Sequence, residues 1–269
     1  MRIVSLRFMR VFAVGLLAYF AMVGGNALGL PWLGWTLAGL LFLGYGALTL
    51  VEMRKRAGLQ REARWEQAIY DGKHRRQCIQ EVTAARAKLD SNQVRRRPEF
   101  ARLSILLAEL LDAAGDCVGA RAAIAEVPLS GLSKLDAGLV RHTRAVIQLR
   151  AGDPVAALGA LDNRDHTGDL ELDQRLELLE AYAQIENGDP RPGLVRAEAM
   201  TQREHVDESV LTEARVVRAA ALDALGRREE ALVVLAALGR ESLQPLSQLG
   251  QPRVRALASQ ILEGLRGEV

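Results

Sequence analysis

Only 4% of the 269 residues are aromatic, two are cysteine, four are histidine, and lysine supplies four of the 35 basic residues. Each scarcity removes a class of function. Cys78 and Cys117 stand far apart with no CxxC pairing, which argues against a thiol redox motif, a four-cysteine zinc site or a disulfide-stapled scaffold. They are expected to pack as small apolar side chains. His74, His142, His166 and His205 are scattered singly, whereas a metal site on one helix face needs a pair at i and i+4. A solvent-facing imidazole is the expectation for each. There is no GxxxxGK[ST] loop, no GxGxxG after a strand and no GxSxG elbow, so no cradle for nucleotide phosphates and no activated serine is on offer. No catalytic residue, cofactor or metal ligand is therefore expected. An enzyme of unrecognised chemistry would have to gather Glu109, Asp112 and His142 into one deep cleft.

What the chain does have is helix-forming composition. Ala, Leu, Arg and Glu dominate, and no strand-like alternation stands out, so the expected fold is all-α. Two near-continuous apolar stretches, Val11 to Leu30 and Trp32 to Val51, occupy the N-terminus. Each is about 20 residues, the length a helix needs to cross a hydrocarbon core of ~30 Å. Arg2, Arg7 and Arg10 precede the first stretch, Arg54, Lys55, Arg56, Arg61 and Arg64 follow the second, and the connector Gly24 to Pro31 carries no charge. The positive-inside bias puts both ends in the cytoplasm and the turn at the outer surface, with Trp32 and Trp35 at that interface. Residues 1–53 are read as a transmembrane helical hairpin in a bacterial-type inner membrane. The alternative is a cleavable signal peptide over residues 1–27, after which the second span would still hold the remainder.

Beyond the hairpin, glycines recur at Gly115, Gly152, Gly188 and Gly226, with spacings of 37, 36 and 38. Seven residues before each stands an alanine: Ala108, Ala145, Ala181 and Ala219. Five after stand Ala120, Ala157, Gly193 and Ala231, and nine after stand Ile124, Leu161, Ala197 and Leu235. Small residues let paired helices approach, glycine supplies the turn, and the apolar column holds the second helix down. The segments AGDCVGARAAI, AGDPVAALGAL, NGDPRPGLVRA and LGRREEALVVL carry a pattern that resembles the tetratricopeptide repeat, over about residues 98–238. Departures are clear: positions usually aromatic in helix A are Ser104, Arg141, Glu177 and Arg215.

The resemblance implies an α-solenoid whose A helices line a groove for a partner protein. Carried over by register, groove residues would be Ile105, Glu109 and Asp112, then His142, Val146 and Leu149, then Leu178, Tyr182 and Ile185, then Val216 and Asp223. Two N-terminal spans followed by such repeats are also similar in architecture to a bacterial membrane family associated with the heme pathway, whose inter-span region is longer than the eight residues here. Residues 54–97 read as basic juxtamembrane helices with a possible degenerate first repeat around Gly72. Residues 239–269, punctuated by Pro245 and Pro252, read as ending in one amphipathic closing helix, Val254 to Leu265.

Charge is laid out unevenly. Met53 to Arg102 holds 14 basic residues against 6 acidic, and Leu103 to Val269 holds 18 against 26. The basic end belongs beside anionic lipid, with Arg54, Lys55, Arg56, Arg61 and Arg64 expected on head groups. Acidic repeats would repel phosphate, so nucleic acid is not an expected partner. One polar cluster, Asp162 to Asp169, superficially resembles a calcium loop. Counted from Asp162, Thr167 takes the place that needs glycine and Asp173 the place that needs glutamate, so a solvated turn with Asp169 at a helix N-cap is expected.

These readings give a non-catalytic membrane-anchored adaptor, with protein and lipid as partners and no small-molecule substrate. The alternative is an accessory subunit of a membrane enzyme or export complex, its second span packed through Gly39, Gly44 and Gly46.

Overall fold

The computed structural model describes residues 17, 23, 36, 40, 58, 60–70, 72–89, 98–162, 165–204 and 206–267. Among them every regular element is helical and none is a strand, so the fold is all-α. The chain divides into two compact units, Met1–Arg64 and Trp65–Val269. In the first, apart from isolated helical residues such as Leu17 and Leu40, the two apolar stretches lie outside the described residues, as do Arg54, Lys55 and Arg56. Arg61 and Arg64 are exposed on helix. Among the described residues no helix is long and apolar enough to cross a membrane.

The second unit begins within helical residues 60–70, of which 65–70 form its α1. Then come α2 (Arg75–Ala87), α3 (Pro98–Ala113), α4 (Cys117–Ala125), α5 (Lys134–Arg150), α6 (Pro154–Leu161), α7 (Leu170–Glu186), α8 (Pro190–Gln202), α9 (Glu208–Ala224), α10 (Arg228–Ala236), α11 (Arg240–Leu249) and α12 (Pro252–Gly267). Four pairs run through it: α3 with α4, α5 with α6, α7 with α8, α9 with α10. The first helices of successive pairs pack on one another, α3 on α5, α5 on α7, α7 on α9. Each second helix packs on the first helix of the next pair.

The four glycines make this periodicity. Gly115, Gly152, Gly188 and Gly226 all take φ between 77° and 95°, left-handed backbone in which any other residue is strained. In each turn the glycine N–H donates to the carbonyl three residues back, and the next N–H donates five residues back: Asp116 to Leu111, Asp153 to Gln148, Asp189 to Gln184, Arg227 to Leu222, all 2.9 to 3.0 Å. That pairing satisfies carbonyls a helix end leaves open. In two turns the following aspartate also starts the second helix: the Asp116 carboxylate accepts from Gly119 N–H at 2.8 Å and the Asp153 carboxylate from Ala156 N–H at 3.0 Å.

The columns around the glycines are the core. Ala108, Ala145, Ala181, Ala219, Ala120, Ala157 and Ala231 are fully buried, and Ile124, Leu161, Ala197 and Leu235 are at most 3% exposed. Burying each large aliphatic contributes about 1.5–3 kcal/mol. A Cβ on Gly193 would meet Ile185 Cγ1 at 2.5 Å and the Ala181 carbonyl at 2.9 Å, so α7 and α8 approach more closely than an alanine allows.

Polar side chains occupy the column that is aromatic in tetratricopeptide repeats, and in three of the four pairs they tie helices together, while Arg215 pairs with Glu208 of its own helix. Arg141 donates to the carbonyls of Ala160 (3.2 Å) and Asp162 (2.7 Å), at the end of α6. Glu177 forms a two-pronged pair with Arg203, both contacts 2.9 Å, at the end of α8. Ser104 is fully buried and accepts from Arg86 at 3.0 Å, with the Arg86 guanidinium 4.9 Å from the Phe100 ring centre. Arg144 adds a further cap, donating to the carbonyls of Ile124, Ala125 and Val127 as α4 ends. A planar guanidinium with five donors suits such multi-carbonyl ends, and a lysine does not.

Two ends differ from the repeats. Trp65, seven residues before Gly72, is 2% exposed and donates to Glu81 at 2.9 Å, and Arg75 reaches Ala68, Ile69 and Ala113 carbonyls at 2.6–3.0 Å. At the C-terminus two helices form where the sequence suggested one. Pro245 lies inside α11, and α12 buries Val254, Leu257 and Ala258. Arg253 fastens α12 to the array through Glu186 and Asp223, each at 2.9 Å. Cys78 is buried, Cys117 is half-buried, and neither forms a disulfide among the described residues.

Candidate functional site

The first helices of the four pairs share one wall, and a cavity of about 520 Å³ opens on it. Ile69 and Tyr70 bound it at one end, and α11 with Gly250 and Gln251 at the other. From the wall itself, Glu109 and Asp112 (α3), His142 and Val146 (α5), Leu178 and Tyr182 (α7) and Val216 (α9) face it. These seven belong to the register carried over from the repeat resemblance.

The other four residues of that register sit elsewhere. Leu149 and Ile185 are 2% exposed and belong to the core between helices. Ile185 fills the space beside Gly193, which turns its column inward. Ile105 is half-buried against the first core cluster. Asp223 is held by Arg228 at 2.8 Å and Arg253 at 2.9 Å.

The wall also contains side chains outside that register: Thr143, Arg150, Arg175, Leu179, Glu213 and Val217. Arg175 and Glu213 each lie 13 residues before their turn glycine, one helical turn N-terminal to the expected column and so on the same face. Extending the stripe by three residues would have found them. Nothing in the linear order indicated the α11 contribution.

The electrostatics follow from enclosure. Asp112 pairs with Arg150. Arg175 bridges Glu171 at 2.8 Å, Glu213 at 3.0 Å and the Ser209 hydroxyl at 3.0 Å, tying α7 to α9. Glu109 has no hydrogen bond or ion pair among the described residues. Burial pushes its carboxyl up to about 7, against the pull of Arg150 and with help from Glu66 and Asp112. Burial pushes His142 down to about 4, with Arg175 and Arg150 adding to the effect. His142 is therefore neutral near pH 7. It faces the cavity and not bulk solvent, contrary to the expectation for a lone histidine. His74 and His166 are exposed and His205 lies outside the described residues. Burial raises Glu213, opposed by Arg175. Burial beside Glu186 raises the Tyr182 hydroxyl well above the usual phenol range.

Comparison with family models, with curated proteins and with solved structures finds no match for this chain.

A second hollow, about 840 Å³ and more open, lies over the 162–174 turn between Leu158 and Arg203. There Asp169 accepts from Leu172 N–H at 3.0 Å, capping α7, and the Thr167 N–H donates to Asp173 at 2.9 Å. Among the described residues no group of three or more His, Cys, Asp or Glu side chains is placed to hold a metal.

Proposed function

We propose that this protein is a non-catalytic scaffold, a divergent tetratricopeptide-like α-solenoid anchored in a membrane by residues 1–53, which presents its first-helix wall to a partner protein on the cytoplasmic side. The observation that carries the solenoid reading is the fourfold glycine turn, with one hydrogen-bond pattern repeated every 36 to 38 residues. Length and apolarity of the two N-terminal stretches, and arginines at both their outer ends, support the anchor. Repeat arrays act by surface because each pair adds one strip to a continuous wall.

A catalytic reading draws on one observation, that Glu109, Asp112 and His142 line the same cavity. Asp112 is already paired with Arg150, and His142 makes no hydrogen bond to either acid among the described residues. A base oriented by an acid, the minimum for proton relay, is not assembled, so the scaffold reading is preferred.

A photo-crosslinking residue placed in cells at Tyr70, on the cavity rim and 69% exposed, or at Val155, 67% exposed on α6, tests this. The scaffold reading expects a protein adduct from position 70 and none from 155. Adducts from 155 alone would move the working surface to the second helices.

A further inference from the structure

The cavity wall carries one carboxylate that no hydrogen bond or ion pair holds among the described residues. Its carboxylates are Glu109, Asp112 and Glu213, and its guanidiniums are Arg150 and Arg175. Each guanidinium holds a carboxylate through its terminal nitrogens, Arg150 that of Asp112 and Arg175 those of Glu171 and Glu213, with the Nε of each buried and unpaired. The imidazole of His142 is neutral near pH 7. That leaves Glu109 facing the void with no partner among the described residues. A carboxylate half-buried in an apolar wall without a hydrogen-bond partner is costly, and no packing requirement explains it, since a leucine or glutamine would fill the same volume without charge. The rest of the wall is largely aliphatic: Val146, Leu178, Leu179, Val216 and, from α11, Leu246.

Size chooses among occupants. Cavities of about 300–1,000 Å³ with an apolar lining and few polar groups are the usual form of small-molecule sites, and 520 Å³ falls inside that range. A helix with side chains is ~10–12 Å across and rises ~5.4 Å per turn, so two turns of it occupy on the order of 850 Å³ or more, above the 520 Å³ of this cavity.

We infer that the cavity is a binding site for a small, mainly apolar ligand carrying one cationic head group, with Glu109 as the residue that recognises the head. The aliphatic wall takes the body of the ligand, and the head replaces the missing partner of the carboxylate. The site does not depend on the scaffold reading: a protein partner at the rim and a small ligand in the cavity are separate events.

The test titrates the full-length chain, in lipid nanodiscs, with 4-phenylbutylamine, 4-phenylbutanol and 4-phenylbutanoate, which share a body and differ in head charge. Saturation-transfer NMR reads binding, and nanodiscs without protein give the lipid background. The amine is expected to bind saturably at pH 8, at least tenfold more tightly than the alcohol, and the carboxylate not at all. Glu109→Gln should remove the amine's advantage and leave alcohol binding unchanged, and Val146→Trp should weaken both. Glu109→Gln removes a buried charge, so its folding is not at risk. Equal binding of all three probes, an amine advantage that survives Glu109→Gln, or no saturable amine binding would each overturn the inference. A lysine-containing leucine-rich heptapeptide that bound a hundredfold more tightly than the amine would also overturn it, by making the site a protein anchor.

Discussion

The turn columns and the cavity wall are built from the same four first helices, yet they differ completely in how they vary from pair to pair. Seven residues before the glycine the residue is alanine each time, fully buried each time. Six before, the residues are Glu109, Val146, Tyr182 and Ala220. Adjacent positions on one helix thus obey opposite rules. The first face must fit a neighbour that recurs, so its chemistry recurs. In the first three pairs the second faces a void whose environment changes along the wall, so its chemistry is free to change, while in the fourth Ala220 is buried in the core. Stability should therefore reside in the periodic columns and function in the aperiodic one.

The largest departure from that division is expected at Glu109 and His142, wall residues that also affect stability because they are enclosed. For Glu109 the folded value, about 7, lies above the ordinary 4.5. Its stabilising contribution is full below pH 4.5 and is lost as pH rises to 7. For His142 the folded value, about 4, lies below the ordinary 6.5. Its contribution is full above pH 6.5 and is lost as pH falls to 4. Each effect amounts to about 3 kcal/mol, and the two slopes oppose one another. Between pH 4.5 and 6.5 they should nearly cancel in the wild type. Relative to it, Glu109→Gln should gain stability as pH rises from 4.5 to 7, and His142→Gln as pH falls from 6.5 to 4, in urea midpoints taken across that range. Parallel curves for all three proteins would mean neither group is enclosed.

Next in size is Gly193→Ala. The added methyl would press on Ile185 and on the Ala181 carbonyl, and overpacking of this kind costs about 1–3 kcal/mol. Since part of the obstruction is backbone, relief by rotamer change alone is not available. Chemical denaturation should show the loss, and Ile185→Val in the same chain should recover part of it.

Gly152→Ala is expected to cost about 1–2 kcal/mol through its φ of 77°, with nothing within 4 Å to add a clash. Asp153→Ala, beside it, removes the cap on Ala156 N–H and should cost about 1 kcal/mol. At the small end, Val155→Ser on the exposed side of α6 should change stability by less than about 0.5 kcal/mol. A large loss there would mean the second helices are covered by something that stabilises them.

This contrast also accounts for what could be read in the sequence. The four turns, the alanine column and the pairing of helices were legible because each imposes a fixed residue type at a fixed offset: glycine for a left-handed turn, alanine for close approach. The Asp169 cap was legible for the same reason. The Arg141, Arg144 and Arg203 ties were not, because a guanidinium reaches across 17 to 26 residues of chain to carbonyls or acids that no offset marks. Arginine's excess over lysine was visible; its use as a multi-carbonyl cap was not. At the wall, Glu109, His142 and Val146 could be placed on one face by helical spacing. That Glu109 would lack a hydrogen-bond partner, that His142 would be half-buried in a cavity wall, and that α11 would form through Pro245 and bound the same void are consequences of tertiary packing.

The most direct test sets neighbours Ala145 and Val146 against each other. Each is replaced by glutamine in the full-length chain, and urea midpoint and 4-phenylbutylamine binding are measured on the same samples. The account predicts that Ala145→Gln, at a fully buried position, lowers the midpoint sharply, and that Val146→Gln, on the cavity wall, lowers it far less while weakening amine binding. Undiminished amine binding with Val146→Gln, or equal loss of stability in both, would contradict it.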